Sequence, residues 1–214
     1  MSAAPVPTHE YPVQFSVDYP DRELNRLTSA FRLFVAIPIL ILIGALAKAT
    51  VGWDDSGDPT QTLVTAGGVL FVPTLLMIVF RQKYPRWWFN WNLEIMRFGN
   101  RVCAYLLLLR DEYPSTDEEQ SVHLELPYPD ARTEISRWLP LVKWFLAIPH
   151  YIVLIFLTIA VLFVTLVAWF AILFTGRYPR GLFDFVVGVA RWENRVVSYA
   201  FTLVTDEYPP FSLN

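Results

Sequence analysis

Apolar residues are concentrated in three long blocks that short polar segments separate. The blocks run from 31 to 47, from 63 to 80 and from 139 to 174, and Lys143 is the only charged residue in the last of them. A helix that crosses a bilayer needs about 20 such residues. A soluble core explains one buried helix of this kind, but not three in 214 residues. The pattern predicts an all-α integral membrane protein.

Each half of the chain ends in a second pattern, a Trp-rich amphipathic helix predicted over 86–109 and 180–204. At about 100° per residue, polar residues fall on one narrow stripe of each helix. Two arginines one turn apart lie on each stripe, with Asn100 and Asn194 beside them. The stripe positions are Asn90, Glu94, Arg97, Arg101 and Ala104 in the first helix, and Asp184, Gly188, Arg191, Arg195, Ser198 and Thr202 in the second.

The two halves match in register, which predicts a tandem duplication. PVQFSVDYPD (12–21) corresponds to SVHLELPYPD (121–130), FRLFVAIP (31–38) to VKWFLAIP (142–149), and DEYP occurs at 111–114 and 206–209. We divide the chain into a tail (1–10), repeat 1 (11–117) and repeat 2 (118–214). Each repeat is predicted to hold a short strand, a hydrophobic hairpin or long span, and the amphipathic helix.

The charges flanking the apolar blocks predict their orientation. Basic clusters precede residue 31 and follow residue 80, while the loop 48–62 between the first two blocks is acidic. The positive-inside rule places both clusters and the N-terminus in the cytoplasm. No cleavable signal peptide is visible in the first 30 residues. For 139–174, one long span and a tight hairpin both remain open, because 154–170 contains no Gly, Pro or Asn on which to turn.

The polar stripe has three interpretations. It can face water on an interfacial helix, or it can be buried between helices with Arg97–Glu94 and Arg191–Asp184 as internal pairs. It can also bind an anion such as a lipid phosphate, for which arginine is well suited. The candidate lipid- or anion-binding residues are Arg86, Arg97, Asn100, Arg101, Arg180, Arg191, Asn194 and Arg195.

The segment FTGRYPRGLFDFVVGVARWENRVVSYAFTLVTDEYPPFSL (174–213), with WFLAIPHYIVL (144–154), resembles a bacterial membrane family known as domain of unknown function 4389. The likeness is specific in repeat 2 and looser in repeat 1, where Trp87, Trp88 and Asn90 replace Gly181, Leu182 and Asp184. The resemblance implies a bacterial cell-membrane protein. Together with the apolar blocks, it leads us to expect a multi-pass protein of the inner membrane with a cytoplasmic N-terminus. It implies no activity, cofactor or catalytic residue.

No chemistry-bearing motif is visible. Cys103 is the only cysteine, and the chain has no HExxH, CxxC, P-loop or serine elbow. His150 is expected to be a polar cap at the bilayer edge. The net charge of −3 carries no nucleic-acid signature. We expect no metal, no cofactor and no enzymatic activity.

The leading hypothesis is therefore a non-enzymatic membrane protein that binds anionic headgroups or organises the membrane through wedge-like units in one leaflet. An accessory or assembly subunit of a larger complex or homo-oligomer is the first alternative, with the strands at 12–18 and 121–127 as edges for a partner. A small oligomeric anion channel or transporter is the second.

Overall fold

The computed structural model describes residues 10–41, 71–116 and 118–214, and most of these are helical. Parts of the two predicted spans of repeat 1 (42–47 and 63–70), the loop 48–62 and positions 1–9 lie outside the described residues. In chain order the elements are β1 (Gln14–Val17), α1 (Arg26–Ala30), α2 (Arg32–Val35), α3 (Phe71–Arg81), α4 (Arg86–Leu106), β2 (Val122–Glu125), α5 (Pro140–Leu146), α6 (Ile148–Thr175) and α7 (Arg180–Ala200). Residues 37–41 are also helical.

The two short strands pair with each other. β1 and β2 are antiparallel, with Phe15 opposite Leu124 and Val17 opposite Val122. These four side chains are buried, whereas Ser16 on the other face is exposed. The period-two alternation that predicted the strands thus puts one apolar face on the helices and one polar face outside.

The long amphipathic helices α4 and α7 begin directly after Pro85 and Pro179, a place where the missing amide of proline costs little. They end three or four residues earlier than predicted. The chain turns at Leu108 and Leu203, whose φ angles are 63° and 57°. These left-handed residues let the next amides bond back to the helix ends.

The apolar block of the second half forms one continuous helix after the short α5. α6 has 28 residues and a mean hydropathy of 2.9 in its most apolar window, so it is long and apolar enough to cross a membrane. No hairpin interrupts it, because no residue between 154 and 170 favours a turn. It ends at Gly176, whose φ of 75° stops the helix.

The elements stack in layers around α4 and α7. The buried strand residues, the apolar sides of α4 and α7 and one face of α6 form a common core. β1 packs on α7 and β2 on α4, and α6 packs on α7. α7 therefore lies between the sheet and the apolar helix α6.

Candidate functional site

Asn100 and Asn194 meet where α4 and α7 cross. Asn100 Nδ2 donates to Asn194 Oδ1 at 2.8 Å, and Asn194 Nδ2 donates to Asn100 Oδ1 at 2.9 Å. Each amide also donates to the carbonyl four residues before it, at Met96 and Ala190. The two asparagines are thus joined to each other and to their own helices, with both side-chain donors of each amide used.

The first arginine of each stripe attaches its helix to a strand. Arg97 Nε donates to the Leu124 carbonyl at 3.1 Å, and Arg191 Nε donates to the Phe15 carbonyl at 3.0 Å. Phe15 and Leu124 are partners in the sheet. The two contacts therefore connect α4 to β2 and α7 to β1 at matched positions.

The remaining donors of these arginines differ between the two helices. Arg97 Nη1 lies 2.8 Å from Glu94 Oε1, the pair that the sequence suggested. Arg191 Nη1 instead donates to the Leu213 carbonyl at 3.0 Å, and Asp184 is exposed. The expected Arg191–Asp184 pair is not among the ion pairs of the described residues. Seven residues separate the two along α7, about 10 Å, and Arg191 is held by the strand and the C-terminal segment.

The second arginine of each stripe is buried, with 9% of Arg101 and 6% of Arg195 exposed. Arg101 Nη1 donates to the Ser115 carbonyl at 2.9 Å, and the Arg195 guanidinium lies 5.6 Å from the Tyr11 ring centre. Burial and then the charge of Arg191 lower the pKa of Arg195. These two side chains are thus largely shielded from solvent.

The local charge around the stripe does not favour an anion. The cavity of about 530 Å³ beside Arg97 and Arg101 is also lined by Glu94, Glu119 and Glu125. Three carboxylates outweigh two guanidinium groups there. Six of the eight candidate residues, all except Arg86 and Arg180, make contacts within the protein, to a strand, to the other amphipathic helix or to a neighbouring segment.

Arg86 and Arg180 are the two candidates that remain exposed. They open α4 and α7, and their guanidinium groups lie 4.6 Å and 5.0 Å from the ring centres of Tyr128 and Tyr19. Exposed basic residues immediately precede each of them: Arg81 and Lys83 in one turn, and Arg177 in the other. We call these the basic turns, residues 81–86 and 177–180.

Two ion pairs with a buried cation were not predicted from the sequence. Arg32 Nη2 lies 2.5 Å from Asp111 Oδ1, and Lys143 Nζ lies 2.7 Å from Asp206 Oδ1. Burial lowers the pKa of the fully buried Lys143 ammonium group. The neighbouring Asp206 carboxylate acts in the opposite direction and partly offsets this decrease. The signal was present, because the aligned FRLFVAIP and VKWFLAIP both carry a cation at the second position and both DEYP motifs begin with the acid.

His150 is fully buried and is not a cap at the edge of the protein. Trp192 Nε1 donates to His150 Nδ1 at 3.0 Å. Phe211 stacks on the imidazole with a centroid distance of 4.0 Å, and Tyr208 lies 4.8 Å away. The C-terminal segment folds over the start of α6, which local sequence patterns do not reveal.

One comparison with known proteins identifies part of the chain. The family described as Domain of unknown function (DUF4389) matches residues 138–212, a range that spans α5, α6, α7 and most of the C-terminal segment. No curated protein and no solved structure matches the chain. The family match stops short of repeat 1, where the sequence likeness is looser. Residues 138–212, in the second half of this chain, therefore match the DUF4389 family.

Proposed function

We propose that this chain is a non-enzymatic, tandemly duplicated protein of the bacterial inner membrane that seats its apolar helices in one leaflet. The observation that carries the proposal is the position of α7 between two elements. On one side lies a polar strand segment, residues 11–19, which contains β1, and on the other side lies the apolar α6. In this arrangement α6 lies along the membrane. The proposal replaces the multi-pass topology that the block lengths suggested.

The strand segment follows α7 for most of its length. The Tyr11 ring centre lies 5.6 Å from the Arg195 guanidinium, and the Tyr19 ring centre lies 5.0 Å from that of Arg180. Between them, the Phe15 carbonyl accepts a hydrogen bond of 3.0 Å from Arg191 Nε. The outer face of this layer is polar, with Ser16, Asp18 and Glu125 exposed. Polar side chains and strand edges avoid hydrocarbon, so this layer is expected to face water.

The opposite side of α6 is apolar and exposed. Phe156 and Phe163 are 68% and 71% exposed, and only a small part of the most apolar window is buried. The helices α2 and α5 near its ends add Phe34 and Phe145. An apolar surface of this size is typical of contact with a membrane or a partner.

The layered packing supports an in-plane orientation of α6. α6 is about 42 Å long at 1.5 Å per residue, which exceeds the thickness of about 30 Å of a bilayer core. If α6 crossed the bilayer, the parallel strand segment and the charged stripe would cross with it. Placing those groups in hydrocarbon costs several kcal/mol each. An in-plane position keeps the strand layer in water and the free face of α6 in the acyl chains.

Both ends of α6 are also held by residues near the strand layer. At the C-terminal end, Leu24 N donates to the Gly176 carbonyl at 2.8 Å, and Tyr19 Oη donates to the Tyr178 carbonyl at 2.5 Å. At the N-terminal end, Phe211 stacks on His150. Two residues further along the chain, the Leu213 carbonyl accepts a hydrogen bond from Arg191. These contacts favour one side of the membrane for both ends.

The basic turns are suited to anionic headgroups. Arg86 and Arg180 are exposed at the starts of two long helices, where the unpaired backbone amides also favour negative charge. Each juxtamembrane cation near an anionic surface contributes about 1 kcal/mol. The headgroup contact that we proposed for the stripe is therefore better placed at these turns.

The duplication is supported by contacts that recur at matched residues. The Arg32–Asp111 and Lys143–Asp206 pairs correspond. Tyr128 Oη donates to the Tyr84 carbonyl at 2.5 Å, as Tyr19 does to Tyr178. With the Asn100–Asn194 contact at the centre, these pairs are typical of two copies that pack around an approximate twofold axis.

The membrane proposal is tested by label depth along α6. Phe156, Phe163 and Phe170 are each changed to Cys in a Cys103→Ala background, labelled with a nitroxide and reconstituted in vesicles. The three positions share one face and span about 21 Å of helix. We expect the three labels to lie at similar depths within one leaflet. A label at Glu125→Cys is the control and is expected to lie in water. A depth that changes steadily from 156 to 170, or a label at 163 much deeper than both others, would contradict the in-plane position.

A further inference from the structure

A groove between α6 and α7 has one charged residue in an apolar wall. Its volume is about 510 Å³, and it is lined by Tyr151, Leu154, Ile155 and Thr158 of α6 together with residues of α7. Glu193 of α7 is the only charged residue among the described residues that line it. A groove with apolar walls and one fixed polar group is the usual form of a small-molecule site.

The Glu193 carboxylate has no counter-ion in the described part of the chain. Its side chain is exposed towards the groove, and none of the described ion pairs includes it. The neighbouring α7 residues Asn194 and Arg195, which contact α4 and the strand segment, are buried. Glu193 is thus separated from the arginine stripe that occupies the other side of α7.

Glu193 is exposed, but the protein around it is close enough to affect its ionisation. Burial by the surrounding protein raises the pKa of the Glu193 carboxyl. Cys103 on α4 is also exposed, and desolvation by the neighbouring protein and then the Glu193 charge raise its pKa to about 11. Both shifts are typical of groups in a low-dielectric setting, where a carboxylate gains most from a bound cation.

We propose that this groove binds a single-chain amphiphile with an ammonium headgroup, with the nitrogen on the Glu193 carboxylate and the alkyl chain along the wall of α6. The inference goes beyond the membrane seat proposed above, because it assigns a ligand class to one residue. The ammonium supplies the missing charge and up to three hydrogen-bond donors. Leu154, Ile155 and Ile159 supply the apolar wall for the chain.

The test is isothermal titration of the full-length protein in a neutral detergent with dodecylammonium chloride. We expect saturable binding near one per chain at about pH 8, weakened roughly tenfold or more by Glu193→Gln. Binding also falls as the pH is lowered through the titration range of the carboxyl group, because Glu193 takes up a proton while the amine keeps its charge. Glu125→Gln, which removes an exposed carboxylate from the strand layer, is the matched control and leaves binding unchanged.

Two comparison ligands complete the experiment. Dodecyl sulfate is expected to show no saturable binding, and dodecanol to bind at least roughly tenfold more weakly than the amine. Equal affinity for dodecanol and the amine would show an apolar groove without charge recognition and would overturn the proposal. Unchanged affinity in Glu193→Gln, or no saturable binding to the wild-type protein, would overturn it as well.

Discussion

Asn100 and Asn194 exchange two hydrogen bonds of 2.8 Å and 2.9 Å at the crossing of the two amphipathic helices. This amide pair lies between a polar strand layer and an apolar helix, with Asn194 buried. The pair is an internal contact, and its energetic role can be measured directly.

Changing either asparagine to Ala leaves the partner amide without two of its hydrogen bonds. We expect each single change to lower the free energy of unfolding by about 1–3 kcal/mol. The double change Asn100→Ala with Asn194→Ala is expected to cost less than the sum of the single changes, because neither side-chain amide is left without its partner. Thermal unfolding in detergent, arranged as a double-mutant cycle, measures this. Additive effects would contradict a direct pair.

Arginines of the stripe and of the basic turns are expected to behave differently. Arg97→Ala and Arg191→Ala should lower stability by about 1–3 kcal/mol each and leave binding to anionic vesicles unchanged. Arg86→Ala with Arg180→Ala should weaken binding to anionic vesicles roughly tenfold or more with little loss of stability. Co-sedimentation with vesicles, with and without anionic lipid, separates the two outcomes. Lost vesicle binding in a folded Arg191→Ala protein would restore the stripe as the headgroup site.

Removing Asp206 is expected to destabilise the fold more than removing Lys143. Asp206→Ala leaves the ammonium of Lys143 buried and without its carboxylate, and should destabilise the fold by about 3–5 kcal/mol. Lys143→Met removes the buried charge itself and keeps the apolar stem, so its cost should be smaller. Denaturant unfolding of the two variants checks the order. A larger loss in Lys143→Met than in Asp206→Ala would contradict this account of burial.

Stability should fall in alkaline solution because of two buried tyrosines. Burial raises the pKa of Tyr84 and of Tyr178 to about 12, from 10.0. Between these values the unfolded chain releases phenol protons that the folded chain retains. Unfolding is therefore favoured as the pH rises from about 10 to about 12. Tyr84→Phe should lessen this loss, and the tyrosinate absorption of the folded protein should show several late titrations, those of Tyr84 and Tyr178 among them. If every tyrosine ionised near pH 10 without unfolding, this prediction would fail.

Several elements of the fold were predictable because their signal is local. Alternating residues identified both strands, the prolines at 85 and 179 marked the starts of α4 and α7, and the uninterrupted apolar run made one long α6 a ready alternative to a hairpin. The family assignment of 138–212 also followed from the residues themselves. Helix ends were less well predicted, since the left-handed turns at Leu108 and Leu203 use a residue type that does not favour them.

The candidate site was only partly predictable. The sequence placed two arginines and one asparagine on the same face of each helix, and the structure brings the two faces together at Asn100 and Asn194. The sequence could not indicate that Arg97 and Arg191 donate hydrogen bonds to strand carbonyls, because those acceptors are backbone atoms distant in the chain. The burial of His150 under Phe211 was hidden for the same reason.

The sequence by itself determined which residues are apolar, where the amphipathic helices lie and that the two halves share a pattern, because these properties depend on composition and on spacing within one element. Only the tertiary structure decided which face of each helix is covered, and by what. A stripe that periodicity alone leaves free for water, a helix or a phosphate is covered here by strands, because two short strands pair across the halves and lie on α4 and α7. That pairing covers the stripe at Arg97 and Arg191 and leaves Glu193 facing the apolar groove.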